Sequence, residues 1–229
     1  MPETAGKALV DTLRHPELLR KASTHLSGGL RAVRDSSALQ HAALQKIPAL
    51  KWISMAQNGM RSYRDYILTQ KIVRFFDKLH SIPEKDREAF IQEIDQDQNE
   101  RERVGEKIFL LLDRHDEMEK SSLLGLAYRD YIEKKITRDQ LERLGRAIDR
   151  VYLPHIYKIS SVDIGSSYRY LDEAIAITDL LQAGLIYPSS VRDQLLGQFE
   201  SHPSQEYHPT DISDIIFALY DELRKKPRA

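Results

Sequence analysis

Cysteine is absent from this chain of 229 residues, which excludes disulfide bonds, thiolate metal sites and a cysteine nucleophile. Glycine and proline are sparse, at 10 and 9 residues, so few positions interrupt regular structure. No apolar run approaches the roughly 18 residues of a membrane-spanning helix. The opening segment, MPETAGKALVDTL, lacks the apolar core beside basic residues that a signal peptide has. These absences predict a cytoplasmic protein without a transmembrane segment.

The chain is rich in helical periodicity. Between residues 67 and 157 apolar side chains recur three and four positions apart, as on amphipathic helices. Four helix starts are predicted within this stretch: capping boxes at Ser81–Glu84 and Thr137–Gln140, and polar first turns at Asn99 and Asp116. Short connections between these helices indicate antiparallel neighbours. The predicted fold class is all-α, a multi-helix bundle.

The two ends of the chain have patterns of their own. Before the bundle we expect helices over 16–25 and 30–44, then one helix of about thirty residues from Pro48 to His80. After it we expect a helix ending at Ala183-Gly184, a strand over 185–187, a return strand over 207–210 and a last helix. That order resembles the second half of a winged helix. The predicted domains are a basic helical arm (1–45), a central bundle (46–158) and an acidic winged-helix-like subdomain (159–229).

Charge is unevenly distributed along the chain. Residues 1–66 hold 10 Lys and Arg against 5 Asp and Glu, whereas residues 163–229 hold 6 against 11. An acidic subdomain disfavours specific DNA binding, because phosphate contacts need Lys and Arg. Docking or dimerisation is the favoured role for it. This charge asymmetry predicts attraction between the basic N-terminal and the acidic C-terminal segments, within one chain or between copies. The alternative is that the surface charges are unevenly distributed without a functional reason.

Two acidic segments have the composition of metal sites. Asp95, Asp97 and Asn99 are spaced like the first ligands of a calcium loop, with Glu106 at its twelfth position. The sixth position of a calcium loop needs glycine for a sharp turn, and Glu100 occupies that position here. A helix cap at Asp97 or Asn99 accounts for the same residues, so we favour the cap. Residues 113–119 are also rich in ligand types, but they lie at a predicted helix junction. No metal, cofactor or catalytic residue is predicted, since the nucleotide-binding, hydrolase and zinc motifs are all missing.

Tyrosine and arginine cluster at several predicted helix ends. Core packing with the hydroxyl at the surface is the favoured explanation, and a partner surface is the alternative, because both residue types are enriched at interfaces. The candidate interface combines these residues with apolar anchors from the long helix: Trp52, Met55, Met60, Tyr63, Arg64, Tyr128, Arg129 and Tyr131.

Four segments of the bundle carry a resemblance: Glu102–Arg114, Asp116–Lys120, Leu124–Tyr128 and Tyr131-Ile132. Together they resemble a group of uncharacterised bacterial all-helical proteins of about this length. Segments similar to Ile47–Asp65 and Lys71-Ile72 precede them in that group, so the resemblance extends over about 45–155 and is most specific over 102–132. It implies the helical fold and a bacterial source, but no activity or catalytic residue. Relatives are more apolar around 48–60, where this chain has Lys51 and Arg61, which argues against a membrane role there.

These patterns favour a non-enzymatic function. We expect a protein-interaction or regulatory module of the bacterial cytoplasm that associates with copies of itself and with a protein partner. One alternative is an effector whose basic N-terminal helices act on membrane surfaces in a defence or toxicity system, through peripheral contact. A second is an enzyme whose site residues are dispersed along the chain.

Overall fold

A computed structural model describes residues 5–14, 47–49, 51, 63–161, 171–188 and 207–225. These residues are mostly helical, which confirms the all-α prediction. The chain divides into two compact units, residues 1–136 (unit 1) and 137–229 (unit 2). The predicted domain boundaries after 45 and 158 differ from this division and stay predictions.

Unit 1 is built around one buried helix. Its elements are α1 Ala5–Thr12, α2 Tyr63–Asp77, α3 Glu84–Asp95, α4 Gln98–Arg114 and α5 Met118–Ile132. All residues from Lys120 to Tyr128 are buried on α5, as expected of a helix that is covered on every side. α2 packs along α5, and α1 packs along α4. The core of unit 1 is therefore centred on α5, with buried residues of α3 such as Phe90 and Ile94 also contributing to it.

The approach of α2 to α5 depends on a glycine. A Cβ atom added to Gly125 would overlap the backbone oxygen of Phe75 and lie 3.0 Å from the Cβ of Lys78. The hydrogen at this position lets the two backbones come close. Next to it the ring of Tyr128 meets that of Phe75 edge to face, at 5.4 Å between centroids, so the tight contact continues as aromatic packing.

Charged side chains attach α1 to the helices that follow it. Asp11 on α1 binds the guanidinium of Arg101 on α4, and Arg14 binds Asp95 at the end of α3. Arg101 also binds Asp95, with 3.2 Å between Nη1 and Oδ1. Beneath this network the buried Thr12 hydroxyl accepts the Ala49 N–H at 3.0 Å. The four charges form one closed set, which is stronger than separate surface pairs.

Unit 2 contains helices and one small sheet. Its elements are α6 Arg138–Arg150, a 3₁₀ helix Leu153–Ser161, α7 Leu171–Gln182, β1 Ile186–Pro188, β2 Tyr207–Pro209 and α8 Ser213–Arg224. The strands are antiparallel, with Tyr187 opposite His208. Both α7 and α8 pack on the 3₁₀ helix. Its buried residues Leu153, Ile156 and Ile159 are three positions apart, as the 3₁₀ repeat requires.

A glycine turn leads from α7 into β1. Gly184 has φ +72°, its N–H donates to the Leu181 carbonyl at 3.0 Å, and the Leu185 N–H donates to the Leu180 carbonyl at 2.9 Å. These two bonds define a Schellman motif. The Leu185 carbonyl then accepts from the Thr210 N–H at 2.9 Å and from the buried Ser213 hydroxyl. The end of α7, the sheet and the start of α8 are thereby connected.

The predicted helix starts met different outcomes. The Thr137–Gln140 capping box is confirmed, with bonds of 3.2 and 2.9 Å. The cap at Asp97 is also confirmed, since its side chain accepts the Asn99 N–H at 2.8 Å. The Ser81–Glu84 box is wrong: α3 begins after Pro83, and no side chain caps it. The residue before a proline avoids helical torsions, so Ile82 cannot serve as a first helical residue. The predicted helices over 16–25 and 30–44 lie outside the described residues.

Candidate functional site

The densest group of titratable side chains in the described part of unit 1 lies where α2 meets the junction between α4 and α5. Lys71, His115, Lys120 and Ser121 are all buried there. Asp113 and Asp116 lie beside them at the junction itself. We call these six residues the polar cluster. Its members come from three helices that are distant in sequence: Lys71 from α2, Asp113 from the end of α4, and Lys120 and Ser121 from the start of α5.

Lys71 reaches the junction from α2. Its Nζ donates to the Asp113 backbone carbonyl at 3.1 Å, within the last turn of α4, where unsatisfied carbonyls carry partial negative charge. Burial lowers the pKa of Lys71, and the carboxylates of Asp113 and Asp116 oppose that effect. Arg64, on the first turn of α2, binds the Asp113 carboxylate at 2.8 Å. Two cations from α2 therefore hold the end of α4.

His115 is enclosed between α4 and α5. Its Nδ1 lies 3.3 Å from the Ser121 hydroxyl, and its Nε2 has no hydrogen-bond partner within the described structure. The pKa of His115 is lowered to about 4, chiefly by burial and then by the charges of Lys120 and Lys71, while Asp116 opposes the shift. The ring is therefore neutral at physiological pH. Lys120 is itself paired with Asp116, at 2.8 Å between Nζ and Oδ1.

The contact between His115 and Ser121 has the composition of a base and its nucleophile. A nucleophile must meet its substrate, but the Ser121 side chain is completely buried. The hydrogen bond is also longer than most hydroxyl contacts. This arrangement fits a structural role, in which the polar cluster fastens the junction of α4 and α5 to α2.

A second histidine contact lies in unit 2. Oδ2 of Asp179, on α7, accepts the Tyr152 backbone N–H at 3.0 Å and lies 3.0 Å from His155 Nδ1. The rings of Tyr152 and His155 meet edge to face at 4.9 Å. Asp179 therefore caps the start of the 3₁₀ helix and orients two side chains, one of which, Tyr152, is exposed.

The residues of the candidate interface are dispersed. Trp52, Met55 and Met60 lie outside the described residues, and Tyr63 begins α2 without a described side chain. Arg64 is exposed and bound to Asp113. Tyr128 is buried, as the core-packing explanation predicts. In the described part, Arg64 is therefore the most accessible member of the set.

The remaining two members are engaged near the end of α5. Arg129 binds Asp130 at 2.9 Å. Tyr131 is half-buried, and its ring meets that of Phe90 edge to face at 6.0 Å. The ring contact attaches the end of α5 to α3, whereas the Arg129–Asp130 pair joins neighbouring residues of α5.

Two exposed aliphatic side chains were missed by the sequence analysis. Leu110 on α4 is 62% exposed, and Ile175 on α7 is 51% exposed. Each is out of phase with the apolar stripe of its helix, which on α4 contains Ile108 and Leu112 and on α7 contains Ala176 and Leu180. A search for apolar residues outside the stripe would have found both. Such residues gain nothing from the core of their own unit.

Comparison of the chain with protein-family models, curated proteins and solved structures found no match. Within the described ranges, no helix combines the length and the apolar character needed to cross a bilayer. The same ranges contain no group of three or more His, Asp or Glu side chains arranged as metal ligands.

Proposed function

We propose that this chain is a non-enzymatic protein-interaction module of the bacterial cytoplasm that associates with further copies of itself. The observation that carries the proposal is the exposure of two aliphatic side chains, Leu110 on α4 and Ile175 on α7; Leu110 is surrounded by Arg103, Lys107 and Arg114. Burying the exposed half to two-thirds of such a residue in a contact gains about 1–2 kcal/mol. Apolar centres with charged surroundings are typical of protein interfaces.

The polar cluster supports a role without catalysis. Its histidine and serine are buried in unit 1 and make contacts that hold helices together. Lys71 and Lys120 are likewise engaged, with the Asp113 carbonyl and the Asp116 carboxylate. The lowered pKa values within the polar cluster, those of Lys71, His115 and Asp116, are thus accounted for by burial and by contacts that hold helices together.

Unit 2 fits the proposed winged-helix-like docking role. Along the chain, α7 is followed by β1, which pairs with β2, and α8 follows β2. In a winged helix that binds DNA, the helix before the hairpin enters the groove. Here that helix contains Asp172, Glu173 and Asp179 and no Lys or Arg, so it would repel phosphates. A protein surface is the better partner for it.

The test is the mass of the full chain in solution. We expect light scattering to show a mass above that of the 26.5 kDa chain at high micromolar concentration, decreasing on dilution. Raising the salt from about 0.1 M to 1 M shortens the Debye length from about 10 Å to 3 Å and should loosen the assembly. A chain that stays monomeric in low salt at every concentration contradicts the proposal.

A second candidate is contact with an anionic membrane, favoured by Arg103, Lys107 and Arg114 around the exposed Leu110. Such a face gains about 1 kcal/mol per basic residue at an anionic surface. Co-sedimentation with phosphatidylserine vesicles tests it, with uncharged vesicles as the control. Binding that Lys107→Glu weakens and Lys85→Glu leaves intact would favour this candidate; both lysines are exposed, and Lys85 lies on α3.

A further inference from the structure

We infer that the junction of α4 and α5 is an acid-sensitive switch, in which a proton on the His115 ring detaches the junction from α2 and opens unit 1 while unit 2 stays folded. The switch belongs to unit 1 alone and operates without self-association. Its opening differs from general unfolding in acid, because it starts from one side chain at one place in the fold.

The closed junction has no acceptor for a second ring proton. His115 is only 2% exposed. Its Nδ1 lies 3.3 Å from the Ser121 hydroxyl, whereas Nε2 is buried and has no hydrogen-bond partner among the described residues. A protonated imidazole is a donor at both nitrogens. The closed form would therefore hold one N–H without an acceptor, together with a positive charge without water, and both are costly in a protein interior.

The charges that face the ring also oppose its protonation. Lys71 approaches from α2 and Lys120 from α5, and both are buried. Arg114 adds a third cation from the end of α4, and Asp116 is the carboxylate that acts in the opposite sense. Asp116 is already bound to Lys120 at 2.8 Å, and the Asp113 carboxylate is bound to the first turn of α2. Neither carboxylate of the polar cluster is left for a positive ring.

The junction is the part of unit 1 that can move in response. α4 ends at Arg114 and α5 begins at Met118, so His115 stands in the short connection between the two helices. Lys71 attaches this connection to α2 through the Asp113 carbonyl, at 3.1 Å. The protonated ring reaches water only if the connection moves outward, and the bond from Lys71 is lost when it does.

Opening exposes apolar surface that the closed form covers. α2 packs along α5, and Phe75 on α2 and Leu124 on α5 are fully buried. α2 contains 15 residues, and a helix of that length is only marginally stable alone. Once α2 has lost its attachment to the junction, its hydrogen bonds open more often, and the apolar sides of both helices meet water. Acid should thereby make this surface available for binding.

The described histidines of unit 2 have different surroundings. Nδ1 of His155 lies 3.0 Å from the Asp179 carboxylate, so a proton on this ring faces a negative charge rather than two lysines. His208 on β2 is partly exposed, and a charge there remains hydrated. Neither ring gives acid a reason to open unit 2, which therefore serves as the internal reference for unit 1.

The experiment is hydrogen exchange of the full chain at pH 7, 6 and 5, followed by mass spectrometry and corrected for the intrinsic exchange rate at each pH. Protection of the amides over 69–76 on α2 and 121–128 on α5 should fall about twenty- to thirtyfold between pH 7 and pH 5, whereas α6 in unit 2 should retain its protection. His115→Gln cannot be protonated in this range and should remove most of the fall. His80→Gln, at an exposed position, is the matched control and should open as the unmodified chain does.

Three results contradict the inference. Equal loss of protection in both units means that acid unfolds the chain as a whole. Unchanged protection over α2 and α5 at pH 5 means that the junction stays closed. If His115→Gln opens as far as the unmodified chain, another group drives the change. Should His115→Gln fail to fold, as circular dichroism would reveal, the comparison of the two units in the unmodified chain still decides, and Lys71→Met, which removes one cation facing the ring, should reduce the fall between pH 7 and pH 5.

Discussion

The buried ring of His115 should make the stability of unit 1 depend on pH. In the unfolded chain the imidazole takes up a proton near pH 6.5, whereas in the folded chain its pKa is lowered to about 4. Between these values the unfolded state binds the additional proton, so stability is full above pH 6.5 and declines as the pH falls toward 4. The groups that face the ring are Lys71 from α2, Lys120 from α5, and Arg114 and Asp116 from the junction.

The magnitude follows from the two pKa values. The linkage relation gives a loss of about 2 kcal/mol between pH 7 and pH 5, and about 3 kcal/mol at pH 4. A loss of 2 kcal/mol changes the folding equilibrium roughly thirtyfold. Other titrating groups also make the free energy of unfolding depend on pH. The informative quantity is therefore the difference between the unmodified chain and His115→Gln. Glutamine keeps a polar side chain but cannot be protonated in this range.

The assay is urea unfolding followed by circular dichroism at several pH values from 7 to 4.5. His115→Gln should have a flatter stability curve than the unmodified chain, and the control His80→Gln, in an exposed turn, should retain the His115 contribution. In the NMR spectrum, the imidazole of His115 should titrate near pH 4. Parallel curves for the unmodified chain and His115→Gln would refute the reasoning, and so would an imidazole that titrates above pH 6.

Three further substitutions test the backbone geometry by thermal and urea unfolding. Gly125→Ala should destabilise unit 1 by about 1–3 kcal/mol, because the new methyl group overlaps the Phe75 carbonyl; an unchanged midpoint would show that α2 can move away. Lys134→Gly should stabilise by about 1 kcal/mol, since Lys134 has φ 61° in a position that favours glycine, and its exposed pair with Glu93 contributes little. Gly184→Ala, at φ +72°, should destabilise by about 1 kcal/mol. Shifts of the same sign for Lys134→Gly and Gly184→Ala would contradict this account.

Local signals in the sequence predicted local structure where no neighbouring residue competed. Thr137 and Gln140 make both bonds of their box, because the residues between them are free to adopt helical torsions. At Ser81 the same signal failed, since Pro83 restricts the residue before it. The 3₁₀ helix was overlooked although Leu153, Ile156 and Ile159 repeat every three residues, because the periodicity sought was that of an α-helix.

The polar cluster could be predicted only in part. The acidic junction around Asp116 was visible, and so was its role as a helix start. The burial of Lys71 was not, because it depends on a carbonyl 42 residues further along the chain. The burial of Tyr128 agrees with core packing as the favoured general explanation for the tyrosines, although Tyr128 itself was named as a candidate interface residue. The exposure of Leu110 requires knowing which side of α4 is covered by α1.

The attachment of α1 to α4 also sets an order of events in folding. Asp11 precedes its partner Arg101 by 90 residues, and Arg14 precedes Asp95 by 81. At a synthesis rate of roughly 5–20 residues per second, α1 waits about 5–20 seconds before its partners leave the ribosome. A helix of 8 residues is too short to be stable alone during that time. Its apolar side therefore remains unprotected until α4 has formed, and the docking of α1 on α4 comes after the synthesis of both partners.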